Sequence, residues 1–532
     1  MKRLFLLSGI ACLMAANVAV AQAQTDDQPS LVGNYDDGTF ILNEAWYGHD
    51  SGSMNFMTAD GEMVYNVQEL ENEKLAFGAT SCSGIVYGGK LYVMSKQAAD
   101  PGDTEHESAG RLVVLDAKTL KLIKGFDEIG GGDGRSIVGV NPHKVYLGTS
   151  SGIVIFDVDK MEVDNVIQGM GEEGSYRVNV GDMLKAGRYV FTIEQRVGVR
   201  VIDPETDNVV ETIANDDVQG IAQAADGDVW IASSTTLTRV DPATLEEKET
   251  LTLPDGVKIM CQWSAWKSTA FCASRTENVL YWNQGGSWTN GNEFYRYEIG
   301  TDISKLKPLF TIEGLPGSEE GKKQEPYGTM RYDDRTGQLV ILTTQSGWGE
   351  NYQYNWIHLV DGTTGELEKT ITLEPYYWFQ AMPIFPDKYA PEFVDVAKSV
   401  ELTAGGEAYT IDLDGKVTDK DNLVYNITTS LADAGDAGVA EAELDGTTLT
   451  IRPVGEGTTT AVLTAESNGV VTEWPIEISV SSLTGINGVE AGTGTAVEVA
   501  RYTLDGKKLD RPQPGVNIVR MSDGTVRKVV VR

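Results

Sequence analysis

Val201-Ile202-Asp203-Pro204-Glu205-Thr206, followed by Asn208-Val209-Val210-Glu211-Thr212-Ile213, reads as strand, tight turn, strand. Proline at the second turn position fixes its backbone angle in advance, and the Asp side chain can accept from the backbone amide of the Thr. The same phrase recurs in Leu112-Val113-Val114-Leu115-Asp116-Ala117-Lys118-Thr119, in Val154-Ile155-Phe156-Asp157, in Leu237-Thr238-Arg239-Val240-Asp241-Pro242-Ala243-Thr244 and in His358-Leu359-Val360-Asp361-Gly362-Thr363-Thr364. Short strands repeating at roughly 40 residues, with one longer gap, predict a β-propeller. The repeated turn then joins the third and outer strands of each blade.

Counting blades outward from this phrase predicts an all-β, seven-bladed propeller over residues 31–387. The first blade lacks an inner strand of its own. Phe379-Gln380-Ala381-Met382-Pro383-Ile384-Phe385 can supply it from the far end, which removes both exposed sheet edges. After Pro386 aromatics thin out and Thr, Val and Ala dominate. Alternating segments with hairpin turns at Asp445-Gly446 and Asn468-Gly469 predict a small immunoglobulin-like β-sandwich over 388–481. Residues 482–497 are rich in Gly and Thr and read as a linker. A basic β segment, 498–532, ends the chain.

The N-terminus reads as a secretory signal peptide, 1–23: Met1-Lys2-Arg3, an apolar run, then Ala19-Val20-Ala21 and Ala21-Gln22-Ala23 as small-x-small sites. Cys12 is preceded by Gly9 where a lipobox places Leu. No later apolar run is long enough for a transmembrane segment. The chain is therefore expected to be exported, to the cell surface or beyond. Its formal net charge of −35 argues against nucleic acid and anionic membrane surfaces as partners. Cys261 and Cys272 have the spacing of a cross-strand pair, and both a disulfide and two buried thiols fit them. Metal-ligand spacing is absent. Asp412, Asp414, Asp419 and Asp421 could ligate calcium, but solvated loop carboxylates fit them better.

Strand order assigns the loops. Turns between first and second strands, and between third and fourth, share one face of a propeller and are tight here. The opposite face collects the long connections and their aromatics. The candidate ligand-binding residues there are Trp46, Tyr47, His49, Arg135, Tyr176, Arg177, Arg196, Trp282, Trp288, Trp348, Tyr352, Tyr376 and Trp378. Aromatic stacking area with a few directional polar groups suits a flat amphipathic small molecule or a sugar. Trp230 lies mid-strand and is expected to pack between blades. No nucleophile elbow, histidine metal set or phosphate loop is present, so the chain is expected not to be an enzyme and to need no cofactor. Glu44 and Asp50 are the acids a propeller lyase or hydrolase would use.

The repeated Ile-Asp-Pro-x-Thr resembles the YVTN/YncE-like propellers. The stretch from Phe40-Ile41-Leu42-Asn43-Glu44-Ala45-Trp46-Tyr47-Gly48-His49-Asp50 to Ser51-Gly52-Ser53-Met54-Asn55-Phe56 is similar to the start of a Bacteroidetes surface propeller group that includes cobalamin-capturing proteins. The resemblance implies capture of a small molecule, a corrinoid first, for an outer-membrane TonB-dependent transporter. A glycan- or protein-binding propeller is the alternative. Leu504-Asp505-Gly506-Lys507, Pro514-Gly515-Val516-Asn517-Ile518-Val519 and the final Lys528-Val529-Val530-Val531 resemble the sorting segments of Bacteroidetes type IX secretion substrates, which implies transport across the outer membrane.

Overall fold

The computed structural model describes residues 33–170, 178–260, 268–285, 291–482 and 497–532. The expected signal peptide, Cys12 included, lies outside the described residues, as does all of the expected linker but its two end residues.

The described residues of 39–384 form seven antiparallel sheets, six of four strands and the last of five, with one small parallel pair, Leu75–Ala76 beside Glu107–Ser108. In the fourth, Val180–Ala186, Tyr189–Glu194, Gly198–Asp203 and Asn208–Ala214 lie side by side in chain order. The quoted stretch is the third and outer strand of this sheet. Asp116 accepts from the amide and hydroxyl of Thr119 at 2.9 and 2.8 Å, and Asp361 from those of Thr364 at 2.6 and 2.8 Å. At Asp203 the side chain instead takes the amide of Glu205, at 3.0 Å, and Thr206 bonds the Asp203 carbonyl. The fourth residue after each Asp is left-handed: Leu120 (φ 54°), Asp207 (54°), Leu245 (63°) and Gly365 (74°). A turn followed by such a residue starts the outer strand with a bulge.

The first sheet departs from chain order. Its strands Thr39–Asn43, Ser53–Met57 and Met63–Val64 are completed by Gln380–Ile384, which pairs antiparallel with Phe40–Asn43. Buried clusters join each sheet to the next. Phe40, Phe56, Leu91 and Val113 lie between the first and second sheets. Ile41, Val340, Ile357 and Trp378 lie between the seventh and first, so the sheets close into a ring. Trp230 is fully buried on its strand, beside the sixth sheet's Trp282.

A second unit follows. Ser399–Thr403, Val470–Ser481, Gly457–Ser467 and Thr428–Asp433 make one sheet, with Ser399–Thr403 parallel to its neighbour. Tyr409–Asp412, Thr448–Pro453 and Ala440–Asp445 make another. Both share one core around Leu449, Ile451, Leu463, Ile476 and Ile478. Asn468 (φ 46°) and Gly469 (φ 76°) form a hairpin of the mirror-image turn type that Asn-Gly favours. Residues 498–531 form a separate four-stranded sheet.

The tight-turn face of the ring is the seat of this second unit. The amide of Gly88 donates to the Asn468 carbonyl at 2.8 Å, and that of Gly187 to the Asn426 side chain at 2.8 Å. The Asn426 amide reaches Gln223 at 2.7 Å, Arg275 donates to the Asp421 carbonyl, and Tyr425 covers Gly227. These ties come from the second, fourth, fifth and sixth sheets, so the unit sits across the ring axis.

Candidate functional site

The opposite face gathers aromatic rings where the first and seventh sheets meet. Loop 44–52 turns tightly because the Trp46 carbonyl accepts the amides of His49 and Asp50 at 2.9 and 3.1 Å. The long insertion in the second sheet clamps this loop. Asp100 accepts the Gly48 amide at 2.7 Å, and Asp103 the Ser51 amide at 3.1 Å. Burial works against the Asp103 carboxylate, but hydrogen bonds from Ser51, His106 and Glu105 outweigh it and hold its pKa at about 2. The fit leaves no room for a side chain at Gly102, where a Cβ would lie 1.9 Å from the Gly48 carbonyl oxygen. Asp103→Ala is expected to free the insertion and destabilise the chain by about 2 kcal/mol, since several amides lose their acceptor. Hydrogen exchange over residues 44–52 and 98–108 checks this, with faster exchange confined to those segments as the expected outcome.

From this loop a chain of rings crosses the face. The Trp46 ring lies tilted against His49 at 3.9 Å and Tyr377 at 4.7 Å. Tyr377 lies 6.4 Å from Phe379, which is 5.5 Å from Tyr352, which is 6.0 Å from Trp348. Tyr327 closes the group at 5.8 Å from Phe379. A short 3-10 helix, Gly349–Gln353, sets Tyr352 against the group, and Asn351 bonds the Trp348 carbonyl at 2.8 Å. Trp348 is 85% exposed at the end of the arc, and Tyr47 is 54% exposed at the other. Tyr376 is exposed beside it and hydrogen-bonds Asp50. Burial, then Asp50, pushes the Tyr376 phenol up to about 12.

Trp46, His49, Trp348 and Tyr352 are thus brought together, with Tyr47 and Tyr376 at the margin. Other expectations are corrected. Trp282 is fully buried on the strand Val279–Asn283 and stacked on Tyr295, because that strand runs past it before the loop begins. Trp378 is buried between the seventh and first sheets, stacked on Tyr65 and bonded to the Glu374 carbonyl. Tyr377 and Phe379 turn to the face and Trp378 away from it. Arg135 is 3% exposed, the second residue of the inner strand Gly134–Asn141 and 3.6 Å from Asp133, instead of on a rim loop. Arg196 is exposed, but on the fourth sheet, across the ring from the arc. Tyr176, Arg177, Trp288 and Cys261 lie outside the described residues. Cys272 is a free thiol that burial pushes up to about 11. Tyr327, Tyr377 and Phe379 were missed. Phe379 reads as the first residue of a strand, but its φ of 45° kinks the chain just before Gln380.

Two further features bear on ligands. A cavity of about 300 Å³ lies on the ring axis, with Ser136, Asp182, Gln223, Ser268 and Arg331 among its walls. Asp182 spans part of it, accepting from Ser268 and Thr269 at 2.8 to 3.0 Å. Among the described residues no three His, Cys, Asp or Glu are placed to hold a metal ion. Asp412 accepts the Asp414 amide and the Thr447 hydroxyl, and Asp421 the amides of Lys388 and Tyr389. No helix among the described residues is long and apolar enough to cross a membrane.

The sequence profile of a family described as "Domain of unknown function (DUF5074)" matches residues 37–386. No curated protein matches the chain. Among solved structures, the chain is similar to a quinonprotein alcohol dehydrogenase-like protein from Bacteroides thetaiotaomicron, with TM-score 0.49, 15% identity, and 66% of this chain and 79% of that chain covered. It is also similar to a periplasmic gluconolactonase from Pseudomonas aeruginosa (TM-score 0.43, 13% identity, 65% and 98% covered). A third is the extracellular domain of a putative hybrid two component system from B. thetaiotaomicron (TM-score 0.36, 11% identity, 80% and 60% covered). The first two names correct the expectation that the chain is not an enzyme: proteins it resembles are named for catalysis, and the missing motifs do not place it outside that class.

Proposed function

The chain belongs to the DUF5074 family, whose profile spans the whole ring, and from this premise we propose that it is an exported ligand-binding protein working through its aromatic face. The seven sheets are the blades of a propeller over 31–387, the second unit is an immunoglobulin-like sandwich over 388–481, and 498–532 is a sorting segment. The observation that carries the reading is the arc from Trp46 to Trp348, which ends in a tryptophan almost wholly in solvent. Large rings held rigid by one another bind flat amphipathic molecules at little entropic cost. A corrinoid is the first candidate, captured for an outer-membrane transporter, as the opening of the ring suggests. Calorimetric titration with cyanocobalamin tests it. Binding that weakens at least about tenfold in Trp46→Ala and Trp348→Ala supports the reading, and no heat at micromolar protein sinks the corrinoid. The exposed Trp348 favours one second reading, a glycan stacked on its face, which a glycan array distinguishes.

A further inference from the structure

A second cavity, of about 230 Å³, lies between the ring and the second unit. Its ring side is apolar, with Ile85, Ile137, Val138 and Met183, and Asn422, Asn426 and Asn468 close it from the other side. Asn426 and Asn468 fasten the junction, Asn426 bonding Gly187 and Gln223 and the Asn468 carbonyl accepting from Gly88, while Asn422 bonds Ser467 within the second unit. Tyr87 and Lys185, also in the wall, are different.

Tyr87 is 8% exposed, and its buried hydroxyl has no hydrogen-bond partner in the protein. The ring cannot swing away to find one. It is wedged between Gly139 and Gly469, where a Cβ would lie 2.2 and 2.6 Å from its atoms. The Lys185 ammonium is 3.9 Å from Glu466 Oε1, too far for a hydrogen bond, and that oxygen is buried without a hydrogen-bond partner. Burial pushes the lysine down and the carboxyl up, as it does for charges held apart from water. A phenol in the cavity wall, and a carboxylate oxygen that stands 3.9 Å behind the wall's Lys185, thus have unused capacity, and buried polar groups are rarely left so.

We propose that this cavity binds a small zwitterion with an apolar side chain, of which an apolar α-amino acid is the simplest. Its carboxylate accepts from Lys185 and Tyr87, its ammonium donates to Glu466, and its side chain lies against Ile85, Ile137, Val138 and Met183. The site is separate from the aromatic arc and does not depend on the reading of that arc.

The test is thermal unfolding and calorimetry of the full chain with L-leucine, L-valine and L-phenylalanine at up to about 10 mM, an excess over any affinity of consequence. Expected is stabilisation by at least one of them, weakened about tenfold or more in Lys185→Met and in Tyr87→Phe, and unchanged in Trp348→Ala. Tyr87→Phe and Glu466→Gln keep shape, so they serve if Lys185→Met does not fold. No binding by the panel overturns the proposal, leaving the cavity to water. Binding retained in full by Lys185→Met, or by both Tyr87→Phe and Glu466→Gln, also overturns it.

Discussion

Ile384→Asp is expected to unfold the ring. Ile384 sits on the strand that the far end of the ring lends to the first sheet, opposite Phe40, and is 4% exposed within the cluster shared with the second sheet. A carboxylate there would stand among the apolar side chains of that cluster, and burying it costs about 4 kcal/mol or more, a large part of the stability of an ordinary domain. The strand would leave, exposing the edge of Thr39–Asn43. The expected result is a melting temperature lower by about 10 °C or more, or insoluble protein. Val210→Asp, on the exposed outer strand of the fourth sheet, is the control and should shift it by no more than about 2 °C. Equal melting temperatures for the two variants would show that closure does not hold the ring.

The second large effect is on pH. Asp387 lies where the chain leaves the ring, and burial, with Asp421 and Asp419 nearby, pushes its carboxyl from 3.8 to about 7. Asp421 already accepts two backbone amides, so the proton held by Asp387 lets the two carboxyl groups meet as donor and acceptor. The folded chain keeps that proton where the unfolded chain has lost it. Stability is therefore fully present at pH below about 4 for this group, and falls as pH rises towards and through about 7. After allowance for partial exposure, the loss between pH 5 and pH 8 is about 2 kcal/mol. Asp387→Asn, which donates without titrating, should flatten that dependence. Glu466, also raised by burial, leaves a smaller slope of the same sign. Thermal unfolding of both proteins at pH 5 and pH 8 decides it, and an undiminished slope in the variant would rule the pair out as the cause.

The ring was legible because its signal is local. Asp, Thr and a left-handed fourth residue specify each turn within a few positions, and the period carries strand order from blade to blade. The closing strand was legible for a different reason: the first sheet starts on its second strand. The site was legible only by loop. Trp46, His49, Trp348 and Tyr352 could be placed on that face because their loops are unambiguous. Trp282, Trp378 and Arg135 misled because each stands within a residue or two of a strand boundary, where one step reverses a side chain. Phe379 was hidden by a backbone kink that no residue type announces, and Tyr327 by a lone position after Pro326. The seat of the second unit was invisible, since glycines that make tight turns are the same glycines that admit another surface. Gly227 beneath Tyr425 does both.

That seat gives the molecule a handle. The strand Val470–Ser481 begins at the hairpin resting on the ring and runs away from it for 12 residues. At the rise of an extended strand its far end stands roughly 36 Å from the ring. A load carried by this strand therefore reaches the ring through that seat, on the face opposite the aromatic arc.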